Sequence, residues 1–218
     1  MIQGVIFDMD GLMFDTERVW ATLWAPTLAK FGLQEPAGLA EAARGSAGES
    51  LLEVIRRYCG ADCDAKGIFE ELVRQGDAVF AQGAPKKPGL DEILAYLRGR
   101  GLPLAVASSS TASTVLRNLR LGGVEAYFSA VMTGDRVARS KPDPDIFLKA
   151  AAMLGVAPAH CLVLEDSFNG VRAGRAGGFI TVMVPDIAQP DDEMRRLYTA
   201  CYPSLADVQR ALERGELA

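Results

Sequence analysis

Short apolar runs alternate along much of the chain with stretches in which apolar residues recur at helical spacing. Five such runs are candidate strands: residues 5–7, 104–107, 130–132, 162–164 and 179–184. Between them, apolar residues spaced three and four apart predict helices over residues 90–99 and 144–154. Continuous apolar strands that alternate with helices indicate a parallel sheet covered by helices on both faces. We therefore predict an α/β fold built on a doubly wound parallel sheet.

The long interval between the first and second runs carries only helical patterning. Its apolar residues recur at helical spacing in three groups: Trp20, Leu23, Trp24, Leu28 and Phe31; Leu51, Leu52 and Ile55; and Phe69, Leu72, Val73 and Phe80. Such stripes are typical of helices that pack their apolar faces together. We predict an all-helical insert over residues 16–84, so that residues 1–15 and 85–218 form the sheet domain.

Composition and charge exclude several classes of protein. The 218 residues include 23 basic and 28 acidic ones, a net charge of −5, so there is no basic footprint for nucleic acid or for an anionic membrane surface. No apolar run approaches the roughly 18 residues that span a bilayer. The N-terminal stretch meets an acid at Asp8 and does not resemble a signal peptide. The expected location is the cytoplasm.

Cysteine and histidine offer little chemistry. Cys59, Cys63, Cys161 and Cys201 show neither the spacing of a zinc site nor that of a dense disulfide framework, so we interpret them as reduced structural thiols. The one histidine, His160, precedes an apolar run and is expected in a loop. Acid–base chemistry would therefore come from carboxylates or lysine.

Acidic residues follow two of the predicted strands. Asp8 and Asp10 come directly after the first run, and Gly11 permits a turn there. Side chains two apart in extended chain point the same way, so both carboxylates can face one crevice. Glu165 and Asp166 follow the fourth run. If these strands are neighbours, the converging carboxylates need a cation, and oxygen ligands without histidine or cysteine favour Mg²⁺.

Two further segments carry groups that would suit a phosphate. The second run ends in Ser108, Ser109 and Ser110, and hydroxyls followed by the free amides of a helix start can cradle an anion. Serine and threonine also simply cap helices, so this signal alone leaves both interpretations open. Lys141 precedes a proline, which restricts its backbone, and its cation would offset the acids; an exposed lysine is the alternative.

In combination these segments resemble the haloacid dehalogenase-like hydrolases. The resemblance is carried by DMDGLMFDTE at 8–17, the hydroxyl-ended strand at Ser108, SKPDPDIF at 140–147 and LEDSFNG at 164–170. Their order and spacing span the sheet domain, and residues 16–84 fit a helical cap inserted after the first motif. The branch most similar is that of β-phosphoglucomutases and sugar-phosphate phosphatases. The resemblance implies that the Asp8 strand is central, between the strands that end at Ser108 and at Glu165.

The resemblance also implies roles for the acidic residues. Asp8 would attack phosphorus in line and form an aspartyl-phosphate, while Asp10 would protonate the leaving oxygen and then activate water. Mg²⁺ would be held by the Asp8 carboxylate, the backbone carbonyl of Asp10 and Asp166, with Glu165 as a further ligand or close beside the ion. The expected enzyme is a phosphoric monoester hydrolase.

Phosphate binding follows from the same resemblance. Ser108, the backbone amide near Ser109, and Lys141 would bind the phosphoryl oxygens. The expected partner is a small phosphorylated metabolite. A sugar or polyol phosphate would suit the aromatic and cationic residues of the insert. The oligomeric state cannot be predicted from the sequence.

Three other functions are alternatives to a phosphatase. A phosphomutase is the serious alternative. Mutases of this branch have an arginine where this chain has Gly48, although Arg44 could take that place in another register. They also have a histidine where this chain has Trp20. A dehalogenase would need neither Mg²⁺ nor Asp10. A non-catalytic phosphate-binding regulatory protein would be expected to have lost Asp8 or Asp10, and both are present.

Overall fold

A computed structural model describes residues 1–44, 46 and 48–217 of the chain. The chain divides into two compact units, one of Met1–Asp15 together with Pro85–Ala218 and the other of Thr16–Ala84. The first contains the sheet and the second is helical, and each is described by itself.

Six parallel strands form the sheet in the described part of the first unit. The strands are β1 (Gly4–Phe7), β2 (Leu104–Ser108), β3 (Ala130–Thr133), β4 (Cys161–Glu165), β5 (Ile180–Met183) and β6 (Ala200–Cys201), in the spatial order β3-β2-β1-β4-β5-β6. Each of the five predicted runs overlaps a strand, and the predicted parallel α/β fold is confirmed. β6 was not predicted, because two half-buried residues carry no recognisable pattern.

The second unit is helical throughout its described secondary structure. Its helices are α1 (Thr16–Ala29), α2 (Leu39–Ala43), α3 (Glu49–Cys59) and α4 (Ala65–Phe80). Their buried faces form one apolar core around Trp24, Leu28, Ile55, Ile68 and Leu72. Two details of the predicted stripes were wrong: Val73 is exposed, and Phe31 lies beyond the end of α1.

Helices cover the sheet in the first unit. They are α5 (Leu90–Gly99), α6 (Ala112–Leu121), α7 (Asp145–Leu154), α8 (Phe168–Ala176), α9 (Met194–Leu197) and α10 (Leu205–Glu213). One layer of core packs Ile146 and Phe147 of α7 against Ile6, Ala105 and Val163 of the central strands. The intervening strand residues point to the opposite face, where they are equally buried. Burial on both faces explains why these strands are continuous apolar runs.

No helix among the described residues is both long enough and apolar enough to cross a bilayer. Cys59, Cys63, Cys161 and Cys201 are free thiols, of which Cys161 is buried.

A close contact within the helical unit makes α4 sensitive to substitution. Along α4 the buried positions include Leu72, Gly76 and Phe80, and the Trp20 ring packs edge-on against Phe80 with 5.2 Å between ring centroids. A Cβ atom on Gly76 would overlap the Trp20 ring. Glycine is therefore required at this helix position by packing rather than by backbone conformation.

We predict that Gly76→Ala destabilises the helical unit. Alanine in a helix normally gains up to about 1 kcal/mol over glycine, but forcing a methyl group into a packed ring costs about 1–3 kcal/mol, so a net loss of roughly 1 kcal/mol is expected. Both tryptophans of the chain lie in this unit, so urea unfolding followed by tryptophan fluorescence reports on it. Val73→Ala on the same helix, at an exposed position, is the control and should change stability by less than about 0.5 kcal/mol. A more stable Gly76→Ala variant would contradict the packing argument.

Candidate active site

The chemical residues gather where three neighbouring strands end. β1 lies between β2 and β4, and in this register Val5 is opposite Leu104 on one side and Leu162 on the other. Because all three strands are parallel, the residues that follow them meet at one edge of the sheet, where ligands bind in open α/β folds. Asp8, Ser108 and Glu165 are thus brought together by strand pairing alone.

The Lys141 ammonium group contacts residues at the ends of β1, β2 and β4. It donates hydrogen bonds to Asp8 Oδ1 at 2.5 Å, Glu165 Oε1 at 2.8 Å and the Ala107 carbonyl oxygen at 3.2 Å. The ammonium also lies 4.7 Å from the centre of the Phe147 ring. An ammonium has three hydrogens, and these three acceptors use all of them. Lys141 is therefore buried and fixed, and the alternative of an exposed lysine is wrong.

Burial and neighbouring charges shift the pKa values of Lys141 and Asp8. Burial alone would lower the pKa of Lys141, but the carboxylates of Asp8 and Glu165 outweigh it and raise that pKa above its ordinary value. Burial raises the pKa of Asp8 well above its ordinary value; Lys141 opposes the shift, while Glu165 and Asp10 add to it. In the protein without a metal ion, the fold therefore disfavours ionisation of Asp8.

Asp10 lies on the side of β2. Its Oδ2 accepts hydrogen bonds from the hydroxyls of Ser108 at 3.1 Å and Ser110 at 2.9 Å. Ser109 is exposed, between these two serines. Ser110 was not among the predicted site residues, although the two-residue spacing that paired Asp8 with Asp10 also pairs Ser108 with Ser110.

Glu165 is held from two directions. Its Oε1 accepts from Lys141, and its Oε2 accepts from the backbone N–H of Ser167 at 2.7 Å and from the Ser167 hydroxyl at 2.9 Å. The same hydroxyl accepts from the N–H of Gly170 and so caps the start of α8. Glu165 is fully buried, and these hydrogen bonds keep its carboxylate beside Lys141.

The donor set fits a magnesium ion. Asp8, Glu165 and Asp166 are buried and offer carboxylate oxygens that all lie within 4.8 Å of one another. Gly11, with a φ of 85°, leaves the room that the Asp166 carboxylate occupies, because a Cβ atom there would overlap it. Carboxylate oxygens without histidine or cysteine are the donors that Mg²⁺ prefers. Asp10, whose side chain faces the serines, is outside this group of three.

Comparison with known proteins identifies the family. The family model described as haloacid dehalogenase-like hydrolase matches residues 2–178. The chain belongs to this family. The resemblance drawn from the four sequence motifs is thereby confirmed, and so is the central place of the Asp8 strand that it implied.

Individual members of the family resemble the chain over most of its length. Fructose-1-phosphate phosphatase YqaB of Escherichia coli K12 is 33% identical over 181 residues, which are 83% of this chain and 95% of that protein. The β-phosphoglucomutase of Bacillus subtilis 168 is 30% identical over 191 residues, which are 84% of this chain and 83% of that protein. These two relatives fall in the branch expected from the motifs.

A solved structure extends the similarity to the fold. The haloacid dehalogenase family hydrolase from Deinococcus radiodurans R1, crystallised with bound phosphate and sodium, is 28% identical to this chain. The alignment has a TM-score of 0.81 and covers 99% of this chain and 97% of that one. The family and its phosphatase members confirm the predicted class of enzyme, a phosphoric monoester hydrolase.

The raised pKa of Asp8 predicts how stability depends on pH. The folded protein keeps the Asp8 proton at pH values where the unfolded chain has lost it, so the free energy of unfolding falls as pH rises from the ordinary aspartate range through the raised pKa. We predict that Asp8→Asn, in EDTA, is more stable than the unsubstituted protein at pH 7. Urea unfolding between pH 4.5 and 8 should show this advantage shrinking towards acid.

Asp145→Asn provides a control of opposite sign. The hydrogen bond from Lys149 lowers the pKa of Asp145, which contributes stability at neutral pH that is lost on acidification. Asp145→Asn should therefore be less stable than the unsubstituted protein at pH 7, with the difference closing towards acid. An Asp8→Asn variant that follows the Asp145→Asn pattern would contradict the electrostatic description of Asp8.

Proposed function

We propose that this enzyme is a Mg²⁺-dependent phosphatase that hydrolyses a small phosphorylated metabolite through an aspartyl-phosphate on Asp8. The observation that carries the proposal is the buried Lys141 ammonium bonded to both Asp8 and Glu165, with Asp166 alongside. A buried carboxylate held at a strand end by a fixed cation is positioned as a nucleophile.

In the first step Asp8 attacks phosphorus. A carboxylate oxygen of Asp8 forms a bond to the phosphoryl group while the bond from phosphorus to the leaving oxygen breaks. Asp10 gives its proton to that oxygen, and the alcohol departs. The Ser108 hydroxyl and the backbone amide near Ser109 donate hydrogen bonds to the phosphoryl oxygens, and Lys141 binds these oxygens through its positive charge as charge redistributes over them.

In the second step water replaces Asp8. Asp10, now ionised, takes a proton from the water molecule, whose oxygen attacks phosphorus. The bond between phosphorus and Asp8 breaks, inorganic phosphate leaves, and Asp10 again holds a proton. One carboxyl group thus serves as acid and then as base, and the cycle returns every group to its starting state.

The three carboxylates give Mg²⁺ its place in this proposal. Asp8, Asp166 and the backbone carbonyl of Asp10 would hold the ion, with Glu165 as a further ligand or close beside it. When bound, Mg²⁺ supplies positive charge that offsets the phosphoryl oxygens and favours the ionised form of Asp8.

The substrate class is proposed from the relatives. Fructose-1-phosphate phosphatase is among the similar proteins, which supports a sugar or polyol phosphate. The aromatic residues expected to suit such a group add no support, because Trp24 lies in the apolar core of the helical unit and the Trp20 ring packs against Phe80. That residues 16–84 act as a cap, and that the protein is cytoplasmic, stay predictions.

A phosphomutase is the second candidate, favoured by the β-phosphoglucomutase among the relatives. It would return the phosphoryl group to a bisphosphorylated intermediate instead of to water. Trp20 and Gly48 depart from the residues expected of a mutase. The cap loop that carries this comparison includes Gly45 and Ala47, which lie outside the described residues, so the register of Arg44 stays a prediction.

The direct test is phosphate release from a panel of phosphorylated sugars, polyols, nucleotides and glycolate. We expect release that requires Mg²⁺, stops in EDTA and is abolished in Asp8→Asn, because the amide cannot serve as the nucleophile. Far-UV circular dichroism should show that the variant is folded. Isomerisation of a sugar phosphate that outpaces phosphate release when bisphosphorylated sugar is added would instead support the mutase. Turnover by Asp8→Asn would contradict both the phosphatase and the phosphomutase assignment.

Removing the Lys141 charge should be severe. One charge at about 4 Å contributes about 4 kcal/mol at an effective dielectric of 20, which corresponds to roughly a thousandfold loss of kcat/KM in Lys141→Ala. Because the change leaves two buried carboxylates without their cation, Lys141→Arg is the companion variant. It keeps the charge but not the geometry, and should stay folded with reduced activity.

The matched control for Lys141 is Lys66→Ala, which removes a lysine whose side chain is 78% exposed. Its kcat/KM should equal that of the unsubstituted enzyme. A Lys141→Ala variant that is folded and loses less than tenfold would contradict the proposed role of this cation.

A further inference from the structure

The hydroxyl of Ser110 lies at the carboxylate that the proposed mechanism uses as acid and base. Asp10 Oδ2 accepts from Ser110 at 2.9 Å and from Ser108 at 3.1 Å. A group that gives and takes protons must keep its orientation through both steps, because proton transfer requires hydrogen-bond geometry. Two hydroxyl donors on a single oxygen fix that orientation.

The two hydroxyls cannot keep this arrangement when a substrate binds. Each serine hydroxyl has one hydrogen to donate. In the proposed function Ser108 donates to a phosphoryl oxygen, and it then has no hydrogen left for Asp10. Ser110 is the donor that can continue to hold the carboxylate.

Ser110 is itself held by its backbone. Its N–H donates to Ser108 Oγ at 3.1 Å, and its carbonyl oxygen accepts from the N–H of Gly134 at 3.0 Å. Gly134 follows β3, and a Cβ atom there would overlap the carbonyl oxygen of Ser109. The close approach of this glycine therefore fixes the backbone from which the Ser110 hydroxyl projects.

Hydrogen bonds to Asp135 also hold the loop between β2 and α6, which contains Ser110. Asp135 accepts a hydrogen bond from the Thr133 hydroxyl at 2.5 Å and one from the N–H of Ala112 at 3.4 Å. These hydrogen bonds connect the end of β3 to the start of α6, the helix that follows Ser110. The backbone that carries the Ser110 hydroxyl is therefore anchored to the sheet.

We propose that Ser110 is a positioning residue, which holds Oδ2 of Asp10 while the Ser108 hydroxyl turns to the phosphoryl group. The proton exchanged with the leaving group is then carried by Oδ1. This inference rests on the proposed function, since it concerns the acid–base step of that mechanism.

The test compares two substrates of similar shape, phenyl phosphate and 4-nitrophenyl phosphate, in the Mg²⁺-loaded enzyme. The nitro compound has the better leaving group and needs little protonation, whereas phenyl phosphate depends on the acid. The quantity to measure is kcat/KM, because it reports the first chemical step whichever step limits turnover. Ser110→Ala should lose about tenfold more kcat/KM on phenyl phosphate than on 4-nitrophenyl phosphate, the effect of one hydrogen bond to a carboxyl group that becomes charged as its proton leaves.

Matched variants separate the hydroxyl from the shape of the side chain. Ser110→Thr and Ser110→Val are nearly isosteric and differ in the hydroxyl, so Thr should restore the ratio between the two substrates and Val should not. Ser113→Ala makes the same chemical change at an exposed hydroxyl that lies 3.0 Å from Thr111 Oγ1 and should leave both substrates unaffected.

Two outcomes would overturn the inference. Equal losses on both substrates would assign Ser110 a structural role or a contact with the phosphoryl group. Equal behaviour of the Thr and Val variants would show that the hydroxyl is not involved. Failure of the proposed function is seen separately, as phosphate release that survives Asp8→Asn or EDTA in protein with an intact Ser110.

Discussion

The contact of the Lys141 ammonium with Asp8 and Glu165 is the interaction on which the site depends. Strand pairing forces these two carboxylates to one edge of the sheet, where both are buried and repel each other. A single cation with three acceptors holds them there. Removing the cation would leave both carboxylates without their partner, a change that typically costs about 3–5 kcal/mol in a buried ion pair. The same contact that stabilises the sheet edge therefore fixes the proposed nucleophile.

One cation is not sufficient for all the negative charge at this edge. Asp8, Glu165 and Asp166 lie together, and the pKa of Asp8 is raised in spite of Lys141. The metal-free site is thus electrostatically unfavourable for the ionised nucleophile, and a divalent cation would relieve this. Stability and proposed activity are opposed at Asp8. An asparagine amide there should stabilise the metal-free fold, whereas the proposed reaction requires a carboxylate.

Sequence patterns predicted the parts of the fold that depend on local periodicity and on topology. Helix 90–99 was predicted with its observed ends because its apolar residues recur regularly three and four apart. The convergence of Asp8 with Glu165 followed from parallel strands, whatever the side-chain details. The contact of Ser110 with Asp10 was missed, since it depends on the approach of Gly134 from a third strand. The two-residue strand β6 and the packing of Trp20 on Gly76 were missed because they too are set by tertiary contacts.

The Asp10→Asn variant and acetyl phosphate together show whether Asp8 carries the phosphoryl group. Acetate leaves without an acid, so the first step should proceed, whereas the second step lacks its base. We expect a burst of about one equivalent of acetate per enzyme, which is a kinetic sign of a covalent intermediate. Mass spectrometry of peptide 1–18 should then place one phosphoryl group on Asp8. Steady phosphate release without a burst, or a phosphoryl group on another residue, would contradict the account.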